Sequence, residues 1–235
     1  ADGRPVVILY GPTAGGKSGL AVALAERIDG VVINADSMQL YRELRILTAR
    51  PSVDDAARAP HRLYGVRSAA EPSSAAWWRE QALGEIMAAR ASGKRPIVTG
   101  GTGLYIKALI EGLSPVPRSD PAARAAATAR LAAIGCAAFR AELARRDPVI
   151  AARLAPGDRQ RLIRAWEVVE ATGVPLSAWQ RQPRAPGHGL SFRRIAMLPG
   201  RDALYARIDR RFDAMLAAGA LDEARSFGNL GLPAS

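Results

Sequence analysis

The sequence predicts a three-layer α/β domain around a parallel sheet, with an all-helical insertion. Short continuous apolar runs, each ending at a glycine or aspartate turn and each followed by a helical segment, predict the sheet. A long stretch between two proline-rich breaks, showing helical spacing only, predicts the insertion. Val6-Val7-Ile8-Leu9-Tyr10 is the first strand, and Ser18 to Ile28 follows with apolar and small residues at helical spacing. Val31-Val32-Ile33 is the second strand, stopping at Asn34-Ala35-Asp36, and Pro96-Ile97-Val98 is the third, running into Thr99-Gly100-Gly101-Thr102-Gly103. Ser74 to Ala91 reads as a helix between them.

The pattern changes at Ser114-Pro115-Val116-Pro117-Arg118-Ser119-Asp120-Pro121. Beyond it the spacing predicts helices over 121–134, 137–146, 148–154 and 158–172, until Gln182-Pro183-Arg184-Ala185-Pro186-Gly187 breaks the pattern again. Phe192 to Leu198 then alternates like a returning strand, and 201–218 reads as a helix. The expected domains are therefore 1–114 with 187–235 as the α/β core, and 115–186 as the helical insertion.

Composition narrows the function. The chain has 235 residues, a formal charge of +11 and a sequence pI near 10.9. Such an excess favours a polyanionic partner through phosphate contacts and counterion release. Arginine outnumbers lysine by 30 to three, a bias that a GC-rich genome also produces, so the placement of the charge tells more than its sum. The single cysteine, Cys136, excludes an intrachain disulfide and suits a reducing compartment such as the cytoplasm. His61 and His188 lie far apart without zinc-ligand spacing. No apolar run is long enough for a membrane span. The start, Ala1-Asp2-Gly3-Arg4-Pro5, has neither a methionine nor a signal peptide's apolar stretch, and reads as trimmed or processed.

The strongest chemical signal is Gly11-Pro12-Thr13-Ala14-Gly15-Gly16-Lys17-Ser18, which fits G-x-x-x-x-G-K-[ST] between a predicted strand and a predicted helix. It predicts a P-loop NTPase-like core. The glycines let successive backbone N–H groups face a phosphate at the positive end of the following helix. Lys17 supplies a mobile cation, and Ser18 is placed to hold Mg²⁺ bridging phosphate oxygens. The loop does not name the phosphate compound. Asn-Lys-x-Asp, expected for guanine recognition, is absent, and the strand at Ile97-Val98 runs into Gly-Gly-Thr where an ATPase would end on aspartate. A small-molecule kinase with an Arg-rich helical lid stays open, with Asp36 orienting its acceptor hydroxyl, as does an RNA-binding regulator without catalysis.

A set of ordered motifs separates these readings. The P-loop octet, Asp36-Ser37-Met38-Gln39-Leu40-Tyr41, Thr48-Ala49-Arg50-Pro51, Pro60-His61-Arg62-Leu63, Gly100-Gly101-Thr102-Gly103-Leu104-Tyr105, Gln160 to Val168 and Gly173-Val174-Pro175 follow one another along most of the chain. Together they resemble the tRNA dimethylallyltransferase family. The resemblance implies transfer of a dimethylallyl group from its diphosphate to N6 of the adenosine beside the anticodon (position 37) in tRNA. By similarity Asp36 is the base that takes the amine proton, with Thr102 beside the reacting amine and Lys17 on the leaving group. Residues 11–18 and Arg211 would hold the diphosphate, with Mg²⁺ on Ser18. Asp36, Ser37, Met38, Gln39 and Thr102 would line the pocket for an extruded adenine. Arg124, Gln160, Arg161, Leu162, Ile163 and Arg164 would contact the tRNA anticodon stem-loop. A monomer is expected, nucleotide hydrolysis is not implied, and family members continue past Gly231-Leu232-Pro233-Ala234-Ser235, so more chain is expected to complete the core. Trp77-Trp78 reads as packing under a loop, with RNA stacking as the competing role, and Cys136 as a small buried residue.

Overall fold

A computed structural model describes residues 3–71, 73–184 and 188–231. The chain divides into two compact units, one formed by Ala1–Ile110 with His188–Ser235 and the other by Glu111–Gly187. Part of the second proline-rich break (185–187) and the last four residues lie outside the described residues.

Among its described residues the first unit holds five strands, β1 (Val6–Tyr10), β2 (Gly30–Asn34), β3 (His61–Arg62), β4 (Arg95–Gly100) and β5 (Phe192–Ala196). They are hydrogen-bonded in the order β3-β2-β4-β1-β5, with every pair parallel. The alternation within each run decides the layers. Val6, Ile8, Val31, Ile33 and Val98 face one side, where they meet Trp78, Ala82 and Ile86 of helix α3 (Ala75–Ala91) and Tyr105 and Leu109 of α4 (Gly103–Glu111). Leu9, Val32 and Ile97 face the other, against Ala21 and Ala25 of α1 (Lys17–Ile28). Burial on both faces is the reason β1, β2 and β4 read as short apolar runs, whereas β5 at the sheet edge is largely exposed.

The strand order places β4 between β1 and β2, although β2 follows β1 in sequence. The chain therefore reverses its direction of travel across the sheet between β1 and β4, and the carboxyl ends of β1, β2 and β4 surround the crevice where open α/β sheets bind ligands. Short elements escaped the periodicity reading: α2 (Val53–Arg58), the two-residue β3, and α10 (Ala220–Gly228), which follows α9 (Arg201–Ala217).

The second unit contains α5 (Pro121–Arg146), α6 (Pro148–Arg153), α7 (Arg159–Thr172) and α8 (Leu176–Arg181). Gly135 interrupts α5 at φ 77°, ψ 166°, and so separates the two predicted helices. Leu131, Phe139, Leu143, Leu162 and Val168 make this unit's own core. Asp147 is fully buried there because both of its oxygens are used. Oδ1 accepts from Ile150 N at 3.1 Å to cap α6, and Oδ2 accepts from Ser177 N at 2.9 Å.

Candidate active site

The loop after β1 sets the floor of a cavity of about 350 Å³, lined by residues 13–19, Asp36, Gln39, Thr48, Ala49, Tyr64, Thr99, Gly100, Arg207 and Arg211. Gly16 begins α1 at φ 86°, and no side chain caps the helix. The first-turn amides are thus left to a ligand, at the end where the helix dipole favours an anion. Gly11 lies at φ 150°, and a Cβ there would fall 2.3 Å from the Met197 carbonyl oxygen, so the segment after β5 packs directly on the loop. Lys17 Nζ donates to the carbonyls of Gly11 at 3.0 Å and Pro12 at 2.6 Å. Burial pushes its ammonium below the ordinary lysine value; Asp36 opposes that shift and Arg211 adds to it. Arg211 itself donates to Thr13 Oγ1 at 2.7 Å, which brings α9 onto the loop.

Asp36 leaves β2 on a scaffold built by Asn34. The Asn34 amide donates to the carbonyls of Asp36 at 2.9 Å and Leu63 at 3.0 Å, and its oxygen accepts from Asp36 N at 2.8 Å. Trp78 Nε1 in turn donates to the Asn34 carbonyl at 2.8 Å. Asp36 Oδ1 accepts from Met38 N at 3.0 Å, whereas Oδ2 lies toward Gly101. Gly100 permits this approach, because a Cβ there would fall 2.1 Å from the Ala35 carbonyl carbon. Thr102 Oγ1 accepts from Ser37 N at 2.9 Å and faces Ser37 Oγ at 3.3 Å, pinning the turn after Asp36 to the end of β4.

Most residues expected to hold the diphosphate and to line the adenine pocket therefore lie together. Thr13 to Ser18, Asp36, Gln39 and Arg211 line one cavity, while Gly11, Pro12, Ser37 and Thr102 shape its walls from behind. Met38 is exposed on the 3₁₀ turn over 38–40. Gln39 reaches the cavity, but its amide donors are already engaged by the carbonyls of Thr48 at 2.8 Å and Ala49 at 3.0 Å. Only its oxygen is left to face an adenine edge.

Sequence reading missed Tyr64, Thr99 and Arg207. Burial and the nearby Asp36 raise the Tyr64 phenol well above its ordinary range, so it remains a hydrogen-bond donor. Arg207 lies one helical turn before Arg211, the (i, i+4) relation that puts both on one face of α9, a signal the crowded arginines obscured.

The helical unit corrects two expectations. Leu162 is fully buried and Ile163 is 8% exposed, so their side chains serve the core of that unit; in the stretch 160–164 only Gln160, Arg161 and Arg164 offer side chains to solvent. Arg164 and Arg124 are also committed within the unit, both facing Glu167, which is 1% exposed. Arg161 is 75% exposed and, among the described residues, pairs with its helix neighbour Asp158 at 3.2 Å. Trp78 is fully buried and stacks on Tyr105 at 4.6 Å, which removes it as an RNA-stacking side chain. The Arg67 guanidinium lies 4.3 Å over Trp77. Cys136 is half-buried at the edge of the helical core.

Among the described residues no cluster of three or more His, Cys, Asp or Glu could enclose a metal. The cavity does suit a cation held partly by ligand phosphates. Ser18 and Asp36 line it, together with Thr99, whose buried hydroxyl has no hydrogen-bond partner among the described residues.

A phosphate-binding loop, a carboxylate after β2 and paired arginines on one cavity define a P-loop protein equipped for group transfer from a phosphorylated donor. Residues 39–234 match the family described as IPP transferase. The chain belongs to that family. It is 56% identical over 230 residues to the tRNA dimethylallyltransferase of Rhodospirillum centenum, covering 97% of this chain and 73% of that protein. Among solved structures, the full-length tRNA isopentenylpyrophosphate transferase of Bacillus halodurans is 33% identical with a TM-score of 0.62, covering 97% of this chain and 71% of that one. A eukaryotic dimethylallyltransferase described as acting on tRNA is 27% identical with a TM-score of 0.76, covering 96% and 56%.

Proposed function

We propose that the cavity holds the diphosphate of dimethylallyl diphosphate against residues 11–18 and Arg211, and presents its prenyl carbon to an adenine amine beside Asp36. The activity itself follows from family membership: the chain is a tRNA dimethylallyltransferase that transfers a dimethylallyl group to tRNA. The observation that carries the site reading is the meeting of Asp36 with Lys17 and Arg211 in the lining of one cavity.

The adenine amine is a weak nucleophile because its lone pair is delocalised into the ring, so proton removal accompanies C–N bond formation. Asp36 Oδ2 receives that proton, while the bond from Asp36 Oδ1 to Met38 N holds the carboxylate in one orientation. The C–O bond to the diphosphate breaks as the C–N bond forms, and the electron pair leaves on pyrophosphate. The α1 amides, Lys17, Arg207 and Arg211 face that developing charge. Mg²⁺ on Ser18, with Thr99 and Asp36 near, would neutralise phosphate charge. Thr102 fixes Ser37 and so the turn that carries Asp36. The acceptor is N6 of the adenosine at position 37, presented by the anticodon stem-loop to a monomer, and Arg161 with Gln160 contributes backbone contacts from the helical unit. Among the described residues no helix is long and apolar enough to cross a membrane.

Unmodified tRNA incubated with the protein, radiolabelled dimethylallyl diphosphate and Mg²⁺ should acquire label at that adenosine. Label absent from the RNA, with phosphate moving from ATP to a small hydroxylated acceptor, would establish the kinase reading instead.

A further inference from the structure

One carboxylate outside the cavity is used in a way the transfer reaction does not require. Glu223, in the first turn of α10, places both oxygens against three successive backbone amides of the loop after Tyr41. Oε1 accepts from Arg45 N, Oε2 accepts from Ile46 N at 2.5 Å and from Leu47 N at 3.3 Å, and Ile46 N also reaches Oε1 at 3.1 Å. The amides point one way because the loop is wound into a tight turn. Ala49 N donates to Ile46 O at 2.9 Å, Arg50 N to Arg45 O at 3.0 Å, and Thr48 Oγ1 to Leu44 O at 2.8 Å. Consecutive amides so arranged form an anion-binding concavity, here filled by a side chain of the same molecule.

The partners on each side give this contact its consequence. The carbonyls at the end of the turn, Thr48 and Ala49, hold the Gln39 amide, and all three residues line the cavity. Behind Glu223 in sequence, Gly219 turns the chain at φ 96° from α9, which carries Arg207 and Arg211 into the same cavity. Glu223 thus joins the helical hairpin that carries Arg207 and Arg211 to the loop that brings Thr48, Ala49 and Gln39 into the same cavity.

We propose that Glu223 is a positioning residue for prenyl transfer: by capping the amides of 45–47 it sets the acceptor wall, through Gln39, relative to the arginines that hold the leaving group. This rests on the reading above, in which Gln39 faces the adenine and Arg211 the diphosphate.

Amide hydrogen exchange on the intact protein tests the cap without reference to function. Glu223→Gln leaves one acceptor oxygen and sets an NH₂ against backbone donors, so exchange at 45–47 should quicken. Asp222→Asn, on the same helix in an exposed pair with Arg225, should leave those amides unchanged. In single-turnover transfer to tRNA, Glu223→Gln should lose about tenfold in rate, on the scale by which small misplacements slow a reaction, while pyrophosphate binding stays within about twofold. Glu223→Asp should recover part of the rate. Combined with Gln39→Ala, Glu223→Gln should add little further loss, because both act through one loop. Unchanged exchange at 45–47 would overturn the cap. Faster exchange with an unaltered rate, or full additivity with Gln39→Ala, would overturn the positioning role. Asp36→Asn in the same assay keeps the two readings apart, since full activity of that variant defeats the site assignment whatever Glu223 does.

Discussion

Asp36 enters the cavity with its backbone fixed by Asn34 and one oxygen already held by Met38 N, so its remaining oxygen is pre-aimed. If that oxygen takes the amine proton, Asp36→Asn should keep pyrophosphate binding and lower the single-turnover rate by about 10²- to 10⁴-fold, the range of general-base catalysis. Rapid-quench measurement with saturating donor and tRNA checks this, and an unchanged rate excludes the base role. The same residue sets a pH signature through Lys17. Burial lowers the Lys17 ammonium, Asp36 works to raise it, and Arg211 lowers it further. A lysine lowered in the free protein loses its proton, and its hold on an anion, at lower pH than an ordinary lysine. Removing the Asp36 charge with Asp36→Asn should shift the alkaline loss of pyrophosphate binding to lower pH. Removing the Arg211 charge with Arg211→Ala should shift it higher. Calorimetric titration across the alkaline range reads both, and the titration of pyrophosphate itself is common to all three proteins.

At the scale of elements, close approach and open space predict opposite outcomes for two glycines. Gly100 closes β4 against Ala35, and an added Cβ would meet backbone at 2.1 Å. Gly100→Ala should destabilise the protein by about 1–3 kcal/mol or more, because neither strand can yield without breaking the ladder. Gly84 lies exposed within α3 with no atom within 4 Å of an added Cβ, so Gly84→Ala should stabilise by about 0.5–1 kcal/mol. Thermal unfolding of the two variants checks both signs. These glycines also mark what a sequence can disclose. β1, β2 and β4 were legible because both faces are buried and the apolar runs are unbroken, and Gly135 was legible as the break between two alanine-rich helices. By contrast, β3 has only two residues, and its pairing with Val32 and Ile33 leaves no period to detect. The loop motif disclosed residues 11–18, since adjacent residues do its chemistry. Tyr64, Thr99 and the Glu223 cap reach their places only through folding, across separations such as the 176–178 residues between Glu223 and 45–47.

For the whole molecule, the charge of +11 sets an expectation that individual arginines meet unequally. Arg164 donates to Pro117 O at 2.6 Å and pairs with Glu167 Oε1 at 2.5 Å, while Asp120 N donates to the same Glu167 oxygen at 3.0 Å. Among the described residues Glu167 Oε2 receives no hydrogen bond, and it faces Arg124 at 3.7 Å. These groups neutralise a buried carboxylate, and removing a partner from such a pair commonly costs about 3–5 kcal/mol because the remaining charge stays desolvated. Arg161 carries no such duty, and its pair with Asp158 is solvent-screened. The two arginines, three residues apart on α7, should therefore fail differently. Arg161→Ala should leave unfolding unchanged, weaken tRNA binding, and reduce the slope of log affinity against log salt by about one, as for one lost phosphate contact. Arg164→Ala should lower the stability of the helical unit by about 3 kcal/mol, with Glu167→Gln in the same protein restoring much of the loss by removing the stranded charge. Denaturant unfolding together with tRNA titration at several salt concentrations separates the outcomes. If Arg164→Ala instead kept full stability and lost the same salt slope as Arg161→Ala, Arg164 would be a phosphate contact and Glu167 a mere neighbour.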